Sequence, residues 1–346
     1  MKHQTTRYGE IPFYKIGTFG NTADAFISKK LFLEYKTKYS FPKKGDILIS
    51  ASGTIGRAVI YDGKPAYFQD SNIVWIDNDE TLVKNDFLFY AYSNVKWNTE
   101  HTTILRLYND NFRNTLIPLP PLNEQIAIAN ILSDLDRYLC TLDALILKKE
   151  GVKKALSFEL LSQRKRLKGF NQAWQRVRLG DIANYLTSNL SAEQITQQGK
   201  IKVYDVNNFI GYTDTTFISD KPYISIVKDG SVGRVRILPP KTNILSTMGA
   251  LIANHRTTTE FLFYLLSNFD FKNFTSGSII PHIYFKDYKE KTIFLPPLNE
   301  QIAIANILSA LDNEITSLKN KKRQFENIKK ALNHDLMSAK IRVLKK

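Results

Sequence analysis

Leu119-Pro-Pro-Leu-Asn-Glu-Gln-Ile-Ala-Ile-Ala-Asn-Ile-Leu-Ser133 is the stretch of sequence that decides the fold, and it occurs twice. Residues 295–309 repeat all 15 of its residues at an offset of 176 positions. The similarity continues beyond the identical block, because Lys153-Lys-Ala-Leu156 returns as Lys329-Lys-Ala-Leu332 at the same offset. One long unit is therefore built twice within the chain.

Each copy of the block predicts the start of a long helix. The prolines end the preceding segment, Asn123 is suited to cap a helix, and Glu124 suits its first turn. A helix from Asn123 to about Lys165 would be roughly 65 Å long and needs a partner along its length. Apolar residues then recur every three or four positions as a heptad seam, which two lysines continue: Ile128, Leu132, Leu135, Leu139, Leu142, Ile146, Lys149, Lys153, Leu156 and Leu160. The same series returns at the offset of 176, so we expect the two helices to pair with each other in antiparallel, with an approximate internal two-fold axis.

A region of mixed α/β character precedes each helix. Short, apolar, β-branched segments predict strands in both regions: 46–50, 58–61 and 71–76 in the first, and 177–182, 202–206, 223–227 and 235–238 in the second. The two regions resemble each other loosely, since Ser52-Gly-Thr-Ile-Gly-Arg57 corresponds to Asp229-Gly-Ser-Val-Gly-Arg234. Phe87-Leu-Phe-Tyr90 likewise corresponds to Phe261-Leu-Phe-Tyr264. A shared framework with different loops predicts one common task and two separate specificities.

The two regions differ at their beginnings. The second opens with Trp174 and Leu179-Gly-Asp-Ile182, well before Val203-Tyr-Asp-Val206. In the first region Phe13-Tyr-Lys-Ile16 takes the position of that last segment. Only about a dozen residues precede it, without a tryptophan or a Leu-Gly-Asp-Ile sequence. The first region is therefore predicted to lack its opening strand.

Composition limits the class of protein. The chain has 48 Lys and Arg against 33 Asp and Glu, a net charge of +15, which favours a nucleic acid as partner ahead of an acidic lipid surface. The sequence has no run of 18 apolar residues and no apolar segment near Met1 that would suit a signal peptide. The single cysteine excludes an internal disulfide or a multi-cysteine zinc site, and a cytoplasmic location is the simplest prediction. Cys140 lies in the first long helix, where we expect it to be a small buried residue.

The sequence lacks the motifs of the enzymes that act on DNA. A DNA methyltransferase needs an Asn/Asp-Pro-Pro-aromatic tetrad, and a nucleotide-hydrolysing motor needs Gly-x-x-x-x-Gly-Lys-Ser/Thr; neither occurs. A nuclease could be built from Asp24 with Glu34-Tyr-Lys36, but Asp270-Phe-Lys272 fits the same acidic-x-Lys pattern, as chance allows in a lysine-rich chain. The five histidines have no metal-binding spacing. We therefore predict a non-catalytic protein without a metal or cofactor of its own.

Long helices that begin with Leu-Pro-Pro-Leu-Asn-Glu-Gln and alternate with Gly-Thr-Ile-Gly-Arg-type loops resemble the specificity subunit of type I restriction-modification enzymes. The resemblance covers nearly the whole chain. It implies an α+β, mixed fold in which two α/β target recognition domains alternate with two long helices that pair as an antiparallel coiled coil with pseudo-two-fold symmetry. The domain bounds would be 1–118 for the first recognition domain, 119–169 for the first spacer helix, 170–294 for the second domain and 295–346 for the second helix.

The same resemblance implies function. Each recognition domain would read one half of a bipartite double-stranded DNA target, and the helices would act as a spacer that docks two methyltransferase subunits. Restriction-motor subunits would join that assembly. S-adenosylmethionine, ATP and magnesium would then belong to the partner subunits, with none bound by this chain.

Base recognition needs side chains with paired donors and acceptors, in loops outside the shared framework. Counting back from the two Leu-Pro-Pro segments places Arg106 and His282 at one equivalent position, beside Tyr108 and Tyr284. The alternative for each pair is a surface charge beside a core tyrosine. Further base-reading candidates are polar loop residues: Asn21, Thr22, Gln69, Asn72, Asn207, Asn208, Lys228, His255 and Arg256. Candidates for phosphate contacts are basic residues at strand ends and in loops: Lys43, Lys44, Arg57, Lys221, Arg234 and Lys286.

The two glycine loops allow two interpretations. Gly53 and Gly56, like Gly230 and Gly233, could cradle a phosphate, but no Lys-Ser/Thr follows them and no dinucleotide fingerprint can be built. A tight turn between strands is the preferred prediction. Two rival functions also stay open from the sequence: an interaction scaffold whose domains bind protein rather than DNA, and an endonuclease built from the acidic residues above.

Overall fold

The computed structural model describes residues 4–68, 72–97 and 106–344 and divides the chain into two compact units. The first unit is Met1–Asp143 together with Asn320–Lys346, and the second is Ala144–Lys319. Two helices of 40 residues each, α4 (Leu122–Leu161) and α7 (Leu298–Met337), contribute residues to both units. The predicted helix starts are confirmed. The first helix ends about four residues before the predicted end, and Gln163 beyond it has a left-handed φ of 61°.

In the first unit the two helices run antiparallel. The Asp136 carboxylate accepts a hydrogen bond from Lys329, and Asp143 pairs with Lys322 at 2.7 Å. Partner numbers fall along α7 as they rise along α4, which confirms the antiparallel direction within this unit. Ile128, Leu132 and Leu142 of the seam are buried.

The second unit contains the same pairing with the roles of the helices exchanged. Here Lys153 of α4 donates to Asp312 of α7, and this pair is the Lys329–Asp136 pair shifted by 176 positions on each side. Lys149 pairs with Glu314 at 2.8 Å. The lysines that continue the heptad seam therefore reach carboxylates on the opposite helix, and the internal repeat extends to individual contacts.

The remainder of the first unit holds two three-stranded sheets, with strand orders β2-β1-β5 and β4-β3-β6. Its strands are β1 (Ile11–Tyr14), β2 (Ala25–Ile27), β3 (Ile47–Ser50), β4 (Ala58–Ile60), β5 (Tyr67–Phe68) and β6 (Ile73–Trp75). Its shorter helices are α1 (Lys29–Lys38), α2 (Asn85–Tyr92) and α3 (Asn109–Arg113). Strand β3 is buried throughout because Leu48 packs in one apolar cluster and Ile47 and Ile49 pack in another, on its two faces.

The second unit repeats this plan with additions, in sheets ordered β10-β9-β13, β12-β11-β14-β8 and β15-β7. Its first strands are β7 (Gln175–Arg178), β8 (Ala183–Thr187), β9 (Ile201–Tyr204), β10 (Phe209–Thr213) and β11 (Tyr223–Val227). The later ones are β12 (Val235–Leu238), β13 (Asn243–Ile244), β14 (Met248–Ala253) and β15 (Thr292–Leu295). Its shorter helices are α5 (Thr259–Ser267) and α6 (Phe285–Tyr288), and Leu179–Asp181 forms a 3-10 turn where a continuous strand over 177–182 was predicted.

Strand register shows which residues are equivalent. Strand β1 pairs antiparallel with β2 and parallel with β5, as β9 pairs with β10 and β13. Phe13 lies opposite Tyr67 in the parallel ladder, and Val203 lies opposite Asn243. The predicted correspondence between the segments at Phe13 and Val203 is confirmed.

Among the described residues, the first unit has no counterpart of strands β7 and β8, and the predicted lack of an opening strand stays a prediction. In the second unit β8 covers the outer edge of β14, and β7 pairs with β15. In the first unit no described residue pairs with the outer edge of β6, and residues 116–119, which correspond to β15, form no strand. Trp174, Leu179 and Ile182 join one large core cluster in the second unit, whereas the equivalent part of the first unit is divided between two smaller clusters.

A glutamine joins each long helix to the domain before it. The Gln125 side chain accepts a hydrogen bond from the Lys84 amide at 2.8 Å and donates to the Leu82 carbonyl at 3.1 Å. Gln301 makes the same two bonds, to the Thr258 amide at 3.1 Å and the Arg256 carbonyl at 2.9 Å. Both glutamine side chains are buried, so these bonds satisfy polar groups that would otherwise be costly.

The glutamate before each glutamine is buried against an arginine from the segment that follows the opposite helix. Arg166 donates to Glu300 at 2.6 Å, and the Trp174 indole donates to the same carboxylate at 2.9 Å. Arg342 holds Glu124 in the same way, without a tryptophan. Hydrogen bonding from the Arg342 guanidinium lowers the pKa of Glu124 below its ordinary value.

A tyrosine completes each lysine–aspartate pair between the helices. Tyr90 donates to Asp136 at 2.8 Å in the first unit, and Tyr264 donates to Asp312 at 2.9 Å in the second. Burial, together with the neighbouring carboxylate, raises the pKa of both tyrosines. The hydroxyls therefore stay protonated and act as donors in both units.

Among the described residues, no helix is both long and apolar enough to span a membrane. Cys140 is exposed, so the prediction of a buried cysteine was wrong. It follows the seam residue Leu139 by one position, about 100° around the helix, and so points away from the partner helix.

Candidate nucleic-acid interface

A glycine turn connects a central strand to the neighbouring edge strand in each unit. Gly53 and Gly56 lie between β3 and β4, Gly230 and Gly233 between β11 and β12, and all four have positive φ angles of 69–81°. A Cβ atom on Gly56 would lie 2.3 Å from Nε1 of Trp97. The glycines are therefore required by the backbone conformation and by close packing, which supports the tight turn over the phosphate cradle.

Each turn is fixed to the segment before the helix. The Ile283 amide donates to the Lys228 carbonyl at 2.9 Å, and the Leu107 amide donates to the Ala51 carbonyl at 2.8 Å. Isolated antiparallel bridges join Asp229 to His282 and Ser52 to Arg106. The predicted equivalence of Arg106 and His282 is therefore confirmed, with two different side chains held on one backbone frame.

In the second unit the side chains around His282 form a polar cluster. Its Nδ1 lies 2.7 Å from Oδ1 of Asp229, and Lys228 Nζ is 4.0 Å from Oδ2 of the same carboxylate. The Tyr284 ring lies roughly parallel to the imidazole, with centroids 6.5 Å apart. Lys286 places its ammonium 5.5 Å from the centroid of the Tyr284 ring. An imidazole oriented by a carboxylate, next to two cations and a half-exposed aromatic ring, can bind a base edge or a phosphate.

In the first unit the equivalent cluster has neutral partners. Asn72 Oδ1 accepts a hydrogen bond from Ser52 Oγ at 2.8 Å and from Arg106 Nη2 at 3.3 Å. Tyr108, like Tyr284, is roughly two-fifths to one-half exposed beside it. A guanidinium oriented by an amide is suited to the acceptor atoms of guanine, whereas the His–Asp pair has a different set of donors and acceptors. We call these two clusters the turn clusters, Ser52/Asn72/Arg106/Tyr108 and Lys228/Asp229/His282/Tyr284.

Of the basic candidates for phosphate contacts, Arg57 and Arg234 lie at these turns, whereas Lys43, Lys44 and Lys221 precede β3 or β11 and so lie at the opposite strand ends. Arg57 and Arg234 occupy equivalent positions, each directly after a glycine turn. The Arg57 carbonyl accepts a hydrogen bond from the Ser50 amide, and the Arg234 carbonyl accepts one from the Val227 amide. Arg57 is partly buried and donates to the Phe19 carbonyl at 2.9 Å, while Arg234 is exposed. Lys44 and Lys221 are exposed in the loops before β3 and β11, and Lys43 pairs with Asp77 at 3.2 Å on the surface.

The asparagine and threonine candidates lie in exposed turns. Asn21 and Thr22 lie in the loop between β1 and β2. Asn207 and Asn208 form the turn between β9 and β10, where their main-chain amides donate to Asp205. Their side chains remain on the surface, but no described contact joins these turns to a turn cluster.

His255 and Arg256 lie elsewhere in the second unit. They follow the last residue of β14, whereas Lys228 follows β11 next to the first residue of β14. A six-residue strand separates the two ends by roughly 17 Å. Arg256 donates to Gln175 at 3.2 Å at the junction with α7, so this pair is not part of the turn cluster. Gln69 lies outside the described residues.

Sequence reasoning missed Ser52 and Asp229, the residues that orient Asn72 and His282. Both directly precede a glycine turn in the quoted repeat, so their position was visible, while their partners across the bridge were not. Among the residues that the structure describes, no group of three His, Cys, Asp or Glu side chains could hold a metal ion. Asp24 of the acidic nuclease pattern is paired with Lys15 at 2.9 Å.

Comparison with known proteins gives consistent matches. The model of the type I restriction modification DNA specificity domain matches residues 1–149 and 171–327. A putative type I restriction enzyme MjaX specificity subunit of Methanocaldococcus jannaschii is 29% identical over 335 residues, which cover 86% of this chain and 79% of that protein. A putative type I restriction enzyme specificity subunit of Haemophilus influenzae is 65% identical over 133 residues. That alignment covers 38% of this chain, and the chain spans only 34% of that relative's length.

A solved structure shares the fold. The S subunit of a type I restriction-modification system from M. genitalium superimposes with a TM-score of 0.64 at 21% identity. The superposition covers 97% of this chain and 91% of that protein. The mixed α/β architecture with long helices is therefore that of specificity subunits.

Proposed function

The chain belongs to the type I restriction-modification DNA specificity domain family, and we propose that it reads a bipartite double-stranded DNA target, one half at each turn cluster. Specificity subunits recognise DNA and catalyse no reaction themselves. Methylation and cleavage therefore belong to methyltransferase and restriction-motor subunits, which would supply S-adenosylmethionine, ATP and magnesium.

The observation that carries this proposal is the pair of turn clusters. One backbone frame presents Arg106 with Asn72 in the first unit and His282 with Asp229 in the second. A framework kept in both units while its projecting side chains differ is suited to two half-sites of different sequence. Lys228, Lys286 and Arg234 in the second unit add positive charge beside the cluster for the DNA backbone.

The test is to co-express the chain with a type I methyltransferase subunit and to map methylated sites in the host genome. We expect a split motif with two constant halves. Arg106→Ala should relax one base position in one half and His282→Ala in the other, each by about 10- to 100-fold. Arg113→Ala, an exposed arginine on α3, is the matched control and should leave the motif unchanged. A contiguous motif, or variants that each alter both halves, would contradict the proposal.

Salt dependence separates DNA recognition from a protein-binding scaffold. A protein that contacts several phosphates loses roughly 10³- to 10⁵-fold in DNA affinity between 50 and 200 mM salt. We expect this chain to show that steep loss with duplex DNA. Affinity that stays flat over the same range would favour the scaffold.

We further propose that the chain docks two methyltransferase subunits, one at the start of each long helix. Leu122, Ile126 and Asn130 lie on one face of α4 at intervals of four residues and are exposed. Leu298, Ile302 and Asn306 repeat them on α7 and are exposed as well. Packing within each unit explains why the buried residues of the repeat are identical, but it does not explain identity at these exposed positions. Binding of identical partner subunits at both helices would explain the identity of these exposed residues.

Single substitutions can test this docking surface. Ile126→Asp and Ile302→Asp should each remove one methyltransferase subunit from the purified complex, and the double variant should remove both. Leu147→Asp is the matched control, because Leu147 is exposed on α4 outside the repeated block. Mass measurement of the complexes gives the stoichiometry. Undiminished binding by the double variant would rule out this surface, while DNA binding by the chain would still test the turn clusters separately.

A further inference from the structure

Two adjacent isoleucines protrude from a short loop of the second unit. Ile279 is 93% exposed and Ile280 is 55% exposed, whereas Ile283, a few residues later, is 1% exposed. Among the described residues of the second unit, no large apolar side chain is more exposed than Ile279. Because isoleucine is branched at Cβ and stiff at χ1, the loop presents a firm apolar tip.

The loop is fixed to the second turn cluster at its base. Ser276 and His282 exchange main-chain hydrogen bonds of 2.9 and 2.7 Å across the two ends of the loop. On the other side the Gly230 amide donates to the Pro281 carbonyl at 2.8 Å, which joins the loop to the glycine turn. The tip is therefore held at a set position relative to His282.

The turn inside the loop packs against the imidazole. Gly277 has a φ of 89°, and a Cβ atom there would lie 2.3 Å from the Ile280 carbonyl oxygen and 3.0 Å from Cδ2 of His282. The turn therefore needs glycine. Ile279 precedes His282 by three residues, so their Cα atoms are at most about 10 Å apart, which is roughly three base pairs along DNA.

The surroundings of the tip are positively charged. Residues 271–286 include Lys272 and Lys286 and no acidic side chain, and both lysines are exposed. Arg234, directly after the glycine turn, is exposed as well. An apolar tip between cations suits a groove of DNA, in which the bases lie between two rows of phosphates.

The major groove offers one kind of apolar group to such a tip. Its base edges carry hydrogen-bond donors and acceptors, together with the C5-methyl group of thymine. The side chain of Ile279 has no polar atom, so it cannot read a base by hydrogen bonding. It can bury a thymine methyl group and thereby favour thymine over cytosine.

We propose that Ile279 is a specificity-determining residue that contacts the C5-methyl group of a thymine within about three base pairs of the base read by His282. The inference rests on the proposed function, because it needs the second turn cluster to read a half-site in the major groove. Recognition of that half-site then combines a polar contact from His282 with an apolar contact from Ile279.

The first experiment maps methylation motifs for the full chain and for Ile279→Ala, each co-expressed with a methyltransferase subunit. We expect the variant to accept other bases at one A·T pair of the second half-site, close to the position that His282→Ala relaxes. The first half-site should not change. Leu147→Ala removes another exposed apolar side chain of the second unit and is the matched control, with an unchanged motif.

Deoxyuridine then tests the methyl group itself. The purified complex is titrated with a duplex of the mapped motif in which that thymine is replaced by deoxyuridine, which lacks only the C5-methyl group. Binding by the unaltered chain should weaken by about 3- to 10-fold, because burial of one methyl group is worth roughly this factor. Binding by Ile279→Ala should change by less than about 2-fold, since the contact is already lost. Ile279→Val should keep most of the sensitivity.

Three outcomes overturn the inference. The first is equal sensitivity of the unaltered chain and Ile279→Ala to deoxyuridine, and the second is a half-site without an A·T pair near the His282 position. The third is 2-aminopurine fluorescence that rises on binding and does not rise with Ile279→Ala, because that would show a side chain wedged between base pairs. If His282→Ala relaxes the second half-site while deoxyuridine has no effect, this inference fails alone. If neither variant alters the motif, the proposed function of the second turn cluster fails with it.

Discussion

The two units share the contacts made by the long helices and differ in the strands that cover them. The Lys–Asp–Tyr and Arg–Glu groups recur with helix roles exchanged, from Lys329–Asp136–Tyr90 to Lys153–Asp312–Tyr264. Counterparts of β7 and β8 occur in the second unit and are absent from the described residues of the first. The helix contacts are thus the same in both units although the described strands around them differ, so the helix framework and the covering strands are separable parts of the fold.

The largest effect is expected at the covering strands. Trp174→Ala should destabilise the second unit by about 3–5 kcal/mol, because it removes a buried aromatic ring and a donor to Glu300. Urea unfolding followed by circular dichroism measures the loss. Trp174→Phe keeps most of the apolar contact and should cost far less. A loss below about 1 kcal/mol for the alanine variant would show that the segment adds little to this unit.

A smaller effect is expected at one turn cluster. Asp229→Asn keeps the shape of the side chain but removes the charged acceptor that orients His282, so recognition of the second half-site should weaken by about 5- to 30-fold. Competition binding with DNA altered in one half at a time measures this change. Recognition of the first half-site should stay constant. Equal losses in both halves would mean that the two turn clusters do not act independently.

The shared framework predicts equal effects in the two units. Tyr90→Phe and Tyr264→Phe each remove a hydrogen bond to a carboxylate and should each cost about 1–2 kcal/mol. Because the surrounding lysine and aspartate are equivalent, the two losses should agree within about 0.5 kcal/mol. Chemical denaturation of the single variants and the double variant checks the values. A clear inequality would break the equivalence of the two units.

The smallest effect concerns pH and the first unit. The guanidinium of Arg342 lowers the pKa of Glu124 in the folded chain, so this pair contributes stability above the unfolded value of about 4.3. That contribution is lost as the pH falls through the lower folded value. Thermal melts between pH 6 and pH 3 should show a decline that is shallower in Arg342→Met. Parallel declines in both proteins would remove this carboxylate as a source of the pH dependence.

Periodic features of the molecule could be predicted from the sequence. The repeated heptad spacing predicted the antiparallel helix pair, and the Leu-Pro-Pro-Leu-Asn-Glu-Gln repeat predicted where both helices start. The position of Phe13 followed from comparing the two halves. The domain bounds and the individual DNA contacts remain predictions, since neither follows from periodicity.

Contacts that depend on tertiary packing could not be predicted. Asp229 contacts His282, which lies 53 residues further along the chain. Ser52 lies beside Arg106 only because a bridge in the folded sheet has that register. The exposure of Cys140 depends on which side of α4 faces its partner. The hydrogen bonds between the Gln125 side chain and the main chain of residues 82 and 84 likewise have no local sequence signal.

The glutamine junctions have a consequence for how such genes can change. Gln125 and Gln301 bond to the preceding domain chiefly through that domain's main-chain amide and carbonyl groups. Every amino-acid sequence provides these groups, except for the N–H at proline. A coding segment for a different domain can therefore replace residues before either helix by recombination without spoiling the attachment. New targets can arise by exchange of whole segments, while the helices and whatever binds them stay the same.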